Sequence, residues 1–533
     1  MSSAPLASGP EGPDALRPLL DTVLDALDTG RRARGGPFPA GGPDAVAARM
    51  RDAVGDVLPD EGDPDALRTL VHALAEGAAD PADPLCAAHL HCPPLAVSAA
   101  ADLAVSALNP SLDSWDQAPA ASALEALVTR TLAQAIGLAD ALVTTGGTEA
   151  NQLALLLARE AQGGSVQLVC GSNAHHSLPR AAWLLGLPDP VVVPAPTGTL
   201  DPAALDEALT ALPGARGSVL VAATAGTTDA GLIDPLPEIA GLCAAHGARL
   251  HIDAAYGGGL VFSDRHRDRL AGLDRAHTVT LDLHKLGWQP VAAGLLAVRR
   301  PRDLAALTQR ADYLNADDDT EAGLPDLLGR SLRTTRRPDV LKIAVTLKTL
   351  GRTGLGALVD HVCSRAREFA ALIRDHPGFE LYAPPVISTV LFRPAGAADD
   401  AVAAVRRRLL TDGRAVLGRA AFDGRLWLKA TLLNPHIRPD DLAALLKLVE
   451  GNTPDEPPPT GHPRTPNPHA TNPIHPATWS ASASGRSTSR WPRSPTRSAN
   501  STPSSTNSAP TSPGTPACSS TAPPSKSRSW PTW

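Results

Sequence analysis

Short apolar runs alternate with apolar helical stretches through the central part of the chain. The β-like runs occur at 166–170, 191–193, 219–223, 249–252, 278–281 and 294–298. Strands that alternate with helices usually form a mostly parallel sheet that is covered on both faces. The pattern therefore predicts a large α/β domain over residues 86–345, built on a mostly parallel sheet.

The segments on either side follow different patterns. Residues 1–85 are rich in Ala, Asp, Gly and Pro and contain helical stretches at 14–28 and 64–77. They are expected to form an N-terminal helical arm that is partly disordered. Residues 346–452 continue a helical periodicity that begins at Leu341 and then show two candidate strands, VISTVLFRP and RLWLKATLL. This order predicts a small C-terminal α+β domain.

The composition changes abruptly after Gly451. Residues 453–533 contain one Ile and no Leu, Val, Phe or Met, but many Pro, Ser and Thr. Such a segment cannot bury enough apolar surface to offset its conformational entropy, so we expect a disordered, low-complexity tail. Its Lys and Arg residues leave a nucleic-acid tether as an alternative to a solvated tail. Its sharp onset leaves out-of-frame translation of GC-rich coding sequence as a third interpretation.

Charge and cysteine usage restrict the class of partner. The formal net charge is -7 with acidic and basic residues mixed, which favours neither a nucleic-acid partner nor a membrane surface. No run approaches the ~18 apolar residues of a membrane span, and the N-terminus does not have the pattern of a secretory signal. Six cysteines without a CxxC pair indicate neither a metal module nor a disulfide framework. A cytoplasmic protein with a small-molecule partner is expected.

The first candidate for chemistry is the string TTGGTEANQLALLLARE at 144–160, where a small-residue turn opens an amphipathic helix. Free N–H groups at a helix start bind anions, and the helix dipole favours negative charge there. Gly146 and Gly147 permit close backbone approach, and the Thr148 hydroxyl can bond a phosphate oxygen. A Gly-rich turn capped by Thr148 for purely structural reasons is the alternative.

Two further strings place charged side chains at strand ends. RLHIDAAYGGG ends a β run at Asp253, which can pair with a cationic ring nitrogen or simply cap the following segment. TVTLDLHKLGWQP ends a β run with Asp282, His284 and Lys285. An isolated lysine is usually a solvated charge. A lysine in a partly desolvated pocket loses its proton more readily and can form an imine with an aldehyde cofactor.

With Gly147, Asp253 and Lys285 at the ends of β runs in one α/β region, the sequence resembles the group II pyridoxal-phosphate-dependent amino acid decarboxylases. The resemblance covers about residues 86–450 and rests on TTGGTEAN, NAHHSLPRAAWLLGL, ATAGTTDAGLIDP, HIDAAYGG and DLHK. It implies the aspartate-aminotransferase-like fold (fold type I) and pyridoxal 5'-phosphate as cofactor. It also implies a homodimer, since related enzymes build each active site at a subunit interface.

The resemblance assigns roles to single residues. His175 is expected over the pyridine ring, although without this context His175 and His176 would be read as surface or core histidines. The other assignments are Thr224, Ala255 and Asp282 near the cofactor, Asp253 on the pyridinium nitrogen, His284 near the phosphate or substrate, and Lys285 as the imine lysine. In the aromatic branch, a loop tyrosine protonates Cα. Tyr313 is the candidate here; it could equally anchor the loop, and His175 or a water could serve instead.

Four sequence segments are most similar to decarboxylases of diamino acids in siderophore and polyamine pathways. They are DSWDQAPAA, RADYLN, SLRTTRR and LKATLLNP. Trp115 and Asp116 stand where the aromatic branch has Trp-Ala, so a carboxylate there could meet the distal ammonium of a substrate. Asp116 could instead cap the helix that starts after Pro119. We expect decarboxylation of 2,4-diaminobutyrate, with lysine, ornithine or aromatic amino acids as alternatives. Transamination, aldol cleavage or a non-catalytic binding role remain further alternatives for this fold.

Overall fold

The central apolar runs form a seven-stranded sheet in the computed structural model, which describes residues 4–212, 214, 216–308, 318 and 321–453. Its strands are β1 (Asp140–Thr144), β2 (Gln167–Gly171), β3 (Val191–Val193), β4 (Val219–Thr224), β5 (Arg249–Ala254), β6 (Thr278–Asp282) and β7 (Gly294–Val298). Their order in the sheet is β1-β7-β6-β5-β4-β2-β3. Strand β7 runs antiparallel to both of its neighbours, and the other pairs are parallel. The predicted α/β class with a mostly parallel sheet is confirmed.

The α-helices of the described residues are α1 (Gly12–Arg34), α2 (Gly42–Val54), α3 (Ala66–Glu76), α4 (Ala96–Leu108), α5 (Pro119–Ala135), α6 (Gly147–Glu160), α7 (Ser177–Leu184), α8 (Pro202–Ala211), α9 (Leu236–His246), α10 (Leu283–Leu286), α11 (Val340–Asp375), α12 (Asp399–Thr411) and α13 (Pro439–Glu450). The helical stretches expected in the N-terminal arm overlap α1 and α3. In the described part of the chain, no helix has both the length and the apolar character required to cross a membrane.

Alternate side chains of the central strands pack on opposite faces of the sheet, as the period of a strand requires. In β7, Leu295 and Ala297 join the large apolar cluster that includes α5 and α9. Leu296 and Val298 face the other way and pack with α6. Burial on both faces explains why β7 appears in the sequence as a continuous apolar run.

A second sheet lies nearer the C-terminus and contains β8 (Phe379–Leu381), β9 (Thr389–Pro394), β10 (Gly418–Phe422) and β11 (Arg425–Thr431). Its order is β10-β11-β9-β8 and every pair is antiparallel. Apolar side chains from this sheet pack with the C-terminal half of α11, with α12 and with α13. Helix α11 is interrupted at Gly351, whose φ of 61° lies in the left-handed region.

A buried ion pair ties α5 to the segment that precedes α11. The Arg336 guanidinium donates to both carboxylate oxygens of Glu125 at 2.9 Å, and both side chains are almost fully buried. Removing one member of such a pair leaves an uncompensated buried charge, which costs about 3–5 kcal/mol.

Glu125→Leu is therefore expected to lower the free energy of unfolding by about that amount, measured as a lower urea midpoint at unchanged slope. The double variant Glu125→Leu/Arg336→Met, which removes both charges, is the matched control and should recover most of the loss. Equal midpoints for the wild type and Glu125→Leu would contradict this account.

Candidate active site

Three parallel neighbouring strands bring polar side chains to one edge of the central sheet. Thr224 ends β4, Asp253 lies near the end of β5 and Asp282 ends β6. The strand register sets Thr224 beside Asp253, and Asp253 beside Thr280. The crevice outside the carboxyl ends of parallel strands is where open α/β sheets bind ligands.

The turn between β1 and α6 closes one side of this crevice. Glu149 accepts hydrogen bonds from the backbone N–H and the hydroxyl of Thr145 at 2.6 and 2.8 Å, which fixes the turn. A Cβ on Gly147 would approach Ala255 Cβ to 3.1 Å, and one on Gly294 would lie 2.5 Å from the Gly146 Cα. Glycine at these positions lets the backbone of the helix start lie directly against the strand ends.

A cavity of about 330 Å³ lies at this edge. It is lined by all ten residues that sequence analysis assigned to the cofactor: Gly146, Gly147, Thr148, His175, Thr224, Asp253, Ala255, Asp282, His284 and Lys285. It is also lined by five residues that were not assigned: Leu90, Thr145, Gly226, Thr228 and Tyr256. The volume is at the lower end of the range of small-molecule sites.

Lys285 lies in the short helix α10, directly after β6. Its Nζ is 3.0 Å from Asp282 Oδ2, and its side chain is mostly shielded from solvent. His284 Nδ1 accepts a hydrogen bond from the Ala293 N–H at 3.2 Å, and His284 Nε2 lies 3.5 Å from the same Asp282 oxygen. Burial lowers the pKa of His284 below its ordinary value, although Asp282 opposes this. A neutral His284 therefore carries its proton on Nε2, as a donor beside the glycine turn.

Asp253 is held in place by donors on both of its oxygens. The Asn151 amide donates to Oδ2 at 2.8 Å, and the Ala255 N–H donates to Oδ1 at 3.0 Å. Behind it, Asn151 Oδ1 accepts from the Thr280 hydroxyl at 2.9 Å and contacts His251 Nε2 at 3.0 Å. The carboxylate is thus oriented by a buried network and still lines the cavity.

The sequence patterns did not predict that the site includes Asn151, His251 and Tyr256. His251 lies two residues before Asp253 on β5, so strand alternation places both on the same face of the sheet, and this was the available signal. Tyr256 is fully buried, and its hydroxyl contacts Ser388 Oγ at 2.8 Å and Thr389 Oγ1 at 3.0 Å at the start of β9. Burial raises the pKa of Tyr256 to about 12. No sequence pattern connects Tyr256 to residues more than a hundred positions away.

The structure describes two of the three remaining predicted residues, Trp115 and Asp116. Among the described residues, neither Trp115 nor Asp116 contributes to its lining. Both lie on an exposed turn, where Asp116 Oδ1 accepts from the Ser114 hydroxyl at 2.6 Å. Tyr313 and nearly the whole predicted tail, from residue 454 onward, lie outside the described residues.

The cavity fits pyridoxal phosphate in the kind and placement of its polar groups. The Thr224 hydroxyl and Asp282 Oδ1 are buried without a hydrogen-bond partner among the described residues, so the site holds polar atoms that a ligand would satisfy. The glycine turn at the start of α6 suits a phosphate, since N–H groups point outward there. A primary amine on Lys285 suits an aldehyde. Fold and site together define a pyridoxal-phosphate-dependent enzyme of fold type I.

The chain belongs to the pyridoxal-dependent decarboxylase family, because the family model of the pyridoxal-dependent decarboxylase conserved domain matches residues 58–395. It is a pyridoxal-phosphate-dependent amino acid decarboxylase. The resemblance inferred from the sequence motifs is confirmed.

Relatives with assigned activities support this membership. The chain is 41% identical over 396 residues to an L-2,4-diaminobutyrate decarboxylase of Rhizobium meliloti (strain 1021), covering 71% of this chain and 79% of the relative. It is 34% identical over 400 residues to one from Acinetobacter baumannii, covering 68% and 78%. The crystal structure of the glutamate decarboxylase domain of diaminobutyrate-pyruvate transaminase and L-2,4-diaminobutyrate decarboxylase from Vibrio parahaemolyticus is similar, with a TM-score of 0.74 and 31% identity, covering 84% of this chain and 97% of that one.

Proposed function

We propose that this enzyme decarboxylates L-2,4-diaminobutyrate, with release of carbon dioxide and propane-1,3-diamine. The observation that carries the substrate assignment is the 41% identity over 396 residues to a relative with that activity. Loss of the α-carboxylate as carbon dioxide leaves a carbon that must take up one proton. The product is a diamine, which agrees with the siderophore and polyamine pathways that the similar sequence segments suggest. The assignment to such a pathway and a cytoplasmic location are parts of this proposal.

Different residues around the cavity would bind different parts of pyridoxal phosphate. The N–H groups of Gly147 and Thr148 and the Thr148 hydroxyl would hold the phosphate at the start of α6. Lys285 Nζ would form the covalent bond to the aldehyde carbon, and His175 would cover one face of the ring. When bound, pyridoxal phosphate supplies an electron-accepting ring for the charge left at Cα.

Asp253 would keep a proton on the ring nitrogen. An ionised carboxylate beside a cationic nitrogen stabilises the protonated form, and Asn151 and the Ala255 N–H hold that carboxylate in one orientation. The Lys285 side chain is largely shielded from solvent, and charge interactions are stronger in such surroundings than in bulk water. His175 is a donor within this cavity for the proton that Cα takes up, and Tyr313 is the loop candidate from sequence.

The exposed leucines of the N-terminal helices support the proposed homodimer. Leu24 on α1, Leu74 on α3 and Leu108 on α4 are 63%, 64% and 70% exposed. Leu24 and Leu108 line the same surface pocket, and apolar side chains exposed together on a folded chain often mark a protein interface.

The assay that tests the function measures carbon dioxide release from 2,4-diaminobutyrate, ornithine, lysine, glutamate and an aromatic amino acid. The diaminobutyrate reaction is expected to have the highest kcat/KM, with propane-1,3-diamine as product. A higher kcat/KM for any other substrate would overturn the substrate assignment. A keto acid in place of carbon dioxide would indicate transamination instead.

Asp116→Asn is expected to raise the KM for diaminobutyrate by roughly 10- to 100-fold, since a hydrogen bond to a charged group contributes about 1.5–3 kcal/mol. The reaction of 2-aminobutyrate, which has no distal ammonium, should change little.

A hybrid dimer tests whether Asp116 acts on the substrate of the partner subunit. It is obtained by co-expression of Lys285→Ala and Asp116→Asn subunits. If Asp116 acts across the interface, one of the two sites in the hybrid retains both Lys285 and Asp116 and is intact. A hybrid no more active than the Asp116→Asn enzyme alone would contradict action across the interface.

A further inference from the structure

The side chain of Asn151 connects two parts of the active site that sequence analysis treated separately. It lies on the first turns of α6 and is completely buried. Its Nδ2 donates one hydrogen bond to Asp253 Oδ2 at 2.8 Å and another to Ser177 Oγ at 2.8 Å. An amide nitrogen has two protons, so both are used in these contacts.

The orientation of this amide follows from its neighbours. An ionised Asp253 can only accept hydrogen bonds, so the atom that faces it must be the Asn151 nitrogen. The Asn151 oxygen then accepts from the Thr280 hydroxyl at 2.9 Å and from His251 Nε2 at 3.0 Å. Burial lowers the pKa of His251, which favours the neutral ring, and the acceptor Asn151 Oδ1 selects the tautomer with its proton on Nε2.

Ser177 transmits this arrangement to His175. The Ser177 hydroxyl accepts from Asn151, and its own proton is free to point at His175 Nδ1, which lies 2.8 Å away. The backbone N–H of Ser177 also donates to His175 Nδ1, at 3.3 Å. A backbone N–H can only donate, so Nδ1 must be the unprotonated ring nitrogen.

We propose that Asn151 and Ser177 are positioning residues that hold His175 as the neutral tautomer with its proton on Nε2. One amide then fixes both the carboxylate of Asp253 and, through Ser177, the tautomer of His175. This buried network presents His175 to the cavity as a hydrogen-bond donor, and the basic nitrogen of the ring is turned away from the reacting atoms.

The surroundings of His175 agree with a neutral ring. Burial lowers the pKa of His175. Asp253 and Asp282 favour the charged form, whereas His176 and Lys285 disfavour it. Removing a donor from Nδ1 would weaken the preference for the neutral form, so the hydroxyl of Ser177 contributes to holding the ring neutral.

The test is solid-state ¹⁵N NMR of the holoenzyme labelled at its histidine nitrogens, with His175→Gln used to assign the His175 signals. In the wild type at neutral pH, we expect an unprotonated Nδ1 and a protonated Nε2. Ser177→Ala leaves Nδ1 only the longer contact with the backbone N–H, so a second species, either the other tautomer or the cation, should appear beside the first. Ser177→Thr keeps the hydroxyl and should restore the wild-type pattern.

Asn151→Ala separates the two branches of the network. It should change the His175 signals and also shift the pH dependence of the cofactor's visible absorbance, because Asp253 loses its donor. Ser177→Ala should change only the His175 signals. A protonated Nδ1 in the wild type, or signals that Ser177→Ala leaves unaltered, would overturn the proposal. The measurement needs no substrate, so its outcome is independent of which amino acid the enzyme decarboxylates.

Discussion

Lys285→Ala is expected to lower kcat by at least about 10³-fold, because Lys285 is the only lysine among the described residues that line the cavity and so could hold the aldehyde of the cofactor. Lys285 lines the cavity, and its Nζ lies 3.0 Å from Asp282 Oδ2. The purified variant should also lose the yellow absorbance that a protonated imine gives. Borohydride treatment of the wild type should fix the cofactor on the peptide that contains Lys285.

The matched control is Lys348→Ala, which removes an exposed lysine on α11 and should leave both activity and colour unchanged. If Lys285→Ala kept a tenth or more of the wild-type kcat, or retained the yellow absorbance, Lys285 could not be the attachment point. Partial recovery of activity with a small added amine would support the role of a primary amine at this position.

The site was predictable from the sequence where chemistry coincides with the end of a strand. Asp253 lies at the end of one β-like run and Lys285 just after another, and the carboxyl ends of parallel strands meet at one edge of a sheet. The strands β3 and β7 have the predicted bounds because each is a run without polar side chains. In contrast, β1 was not predicted, because its three apolar residues are not bounded by turn residues as β3 is by Pro190 and Pro194.

The parts of the site that were not predictable depend on tertiary contacts. Asn151 lies within the string that was read as an anion-binding helix start, but its partners Ser177 and Asp253 are distant in sequence. Its role follows only from the packing of α6 against β5 and β6. The contact proposed for Asp116 could not be predicted for a different reason, because it would involve a second copy of the chain.

The second large effect is expected for Asp253→Asn, which preserves the size of the side chain and removes its charge. An amide cannot hold a proton on the ring nitrogen as a carboxylate does, so the ring accepts electrons less well. Removing a charge-stabilising group from such a site costs roughly 10²- to 10³-fold in kcat. The KM should change little, since Asp253 would contact the cofactor and not the substrate.

A cofactor analogue methylated on the ring nitrogen distinguishes this role from a structural one. Its nitrogen is permanently cationic, so it should restore part of the activity of Asp253→Asn, although it fits the wild type less well. The neighbouring carboxylate Asp282 provides a comparison, because Asp282→Asn alters the contact with Lys285 and should gain nothing from the analogue. If the analogue failed to raise the activity of Asp253→Asn, the charge of Asp253 would not act through the ring nitrogen. Its buried hydrogen bonds to Asn151 and Ala255 would then account for the loss.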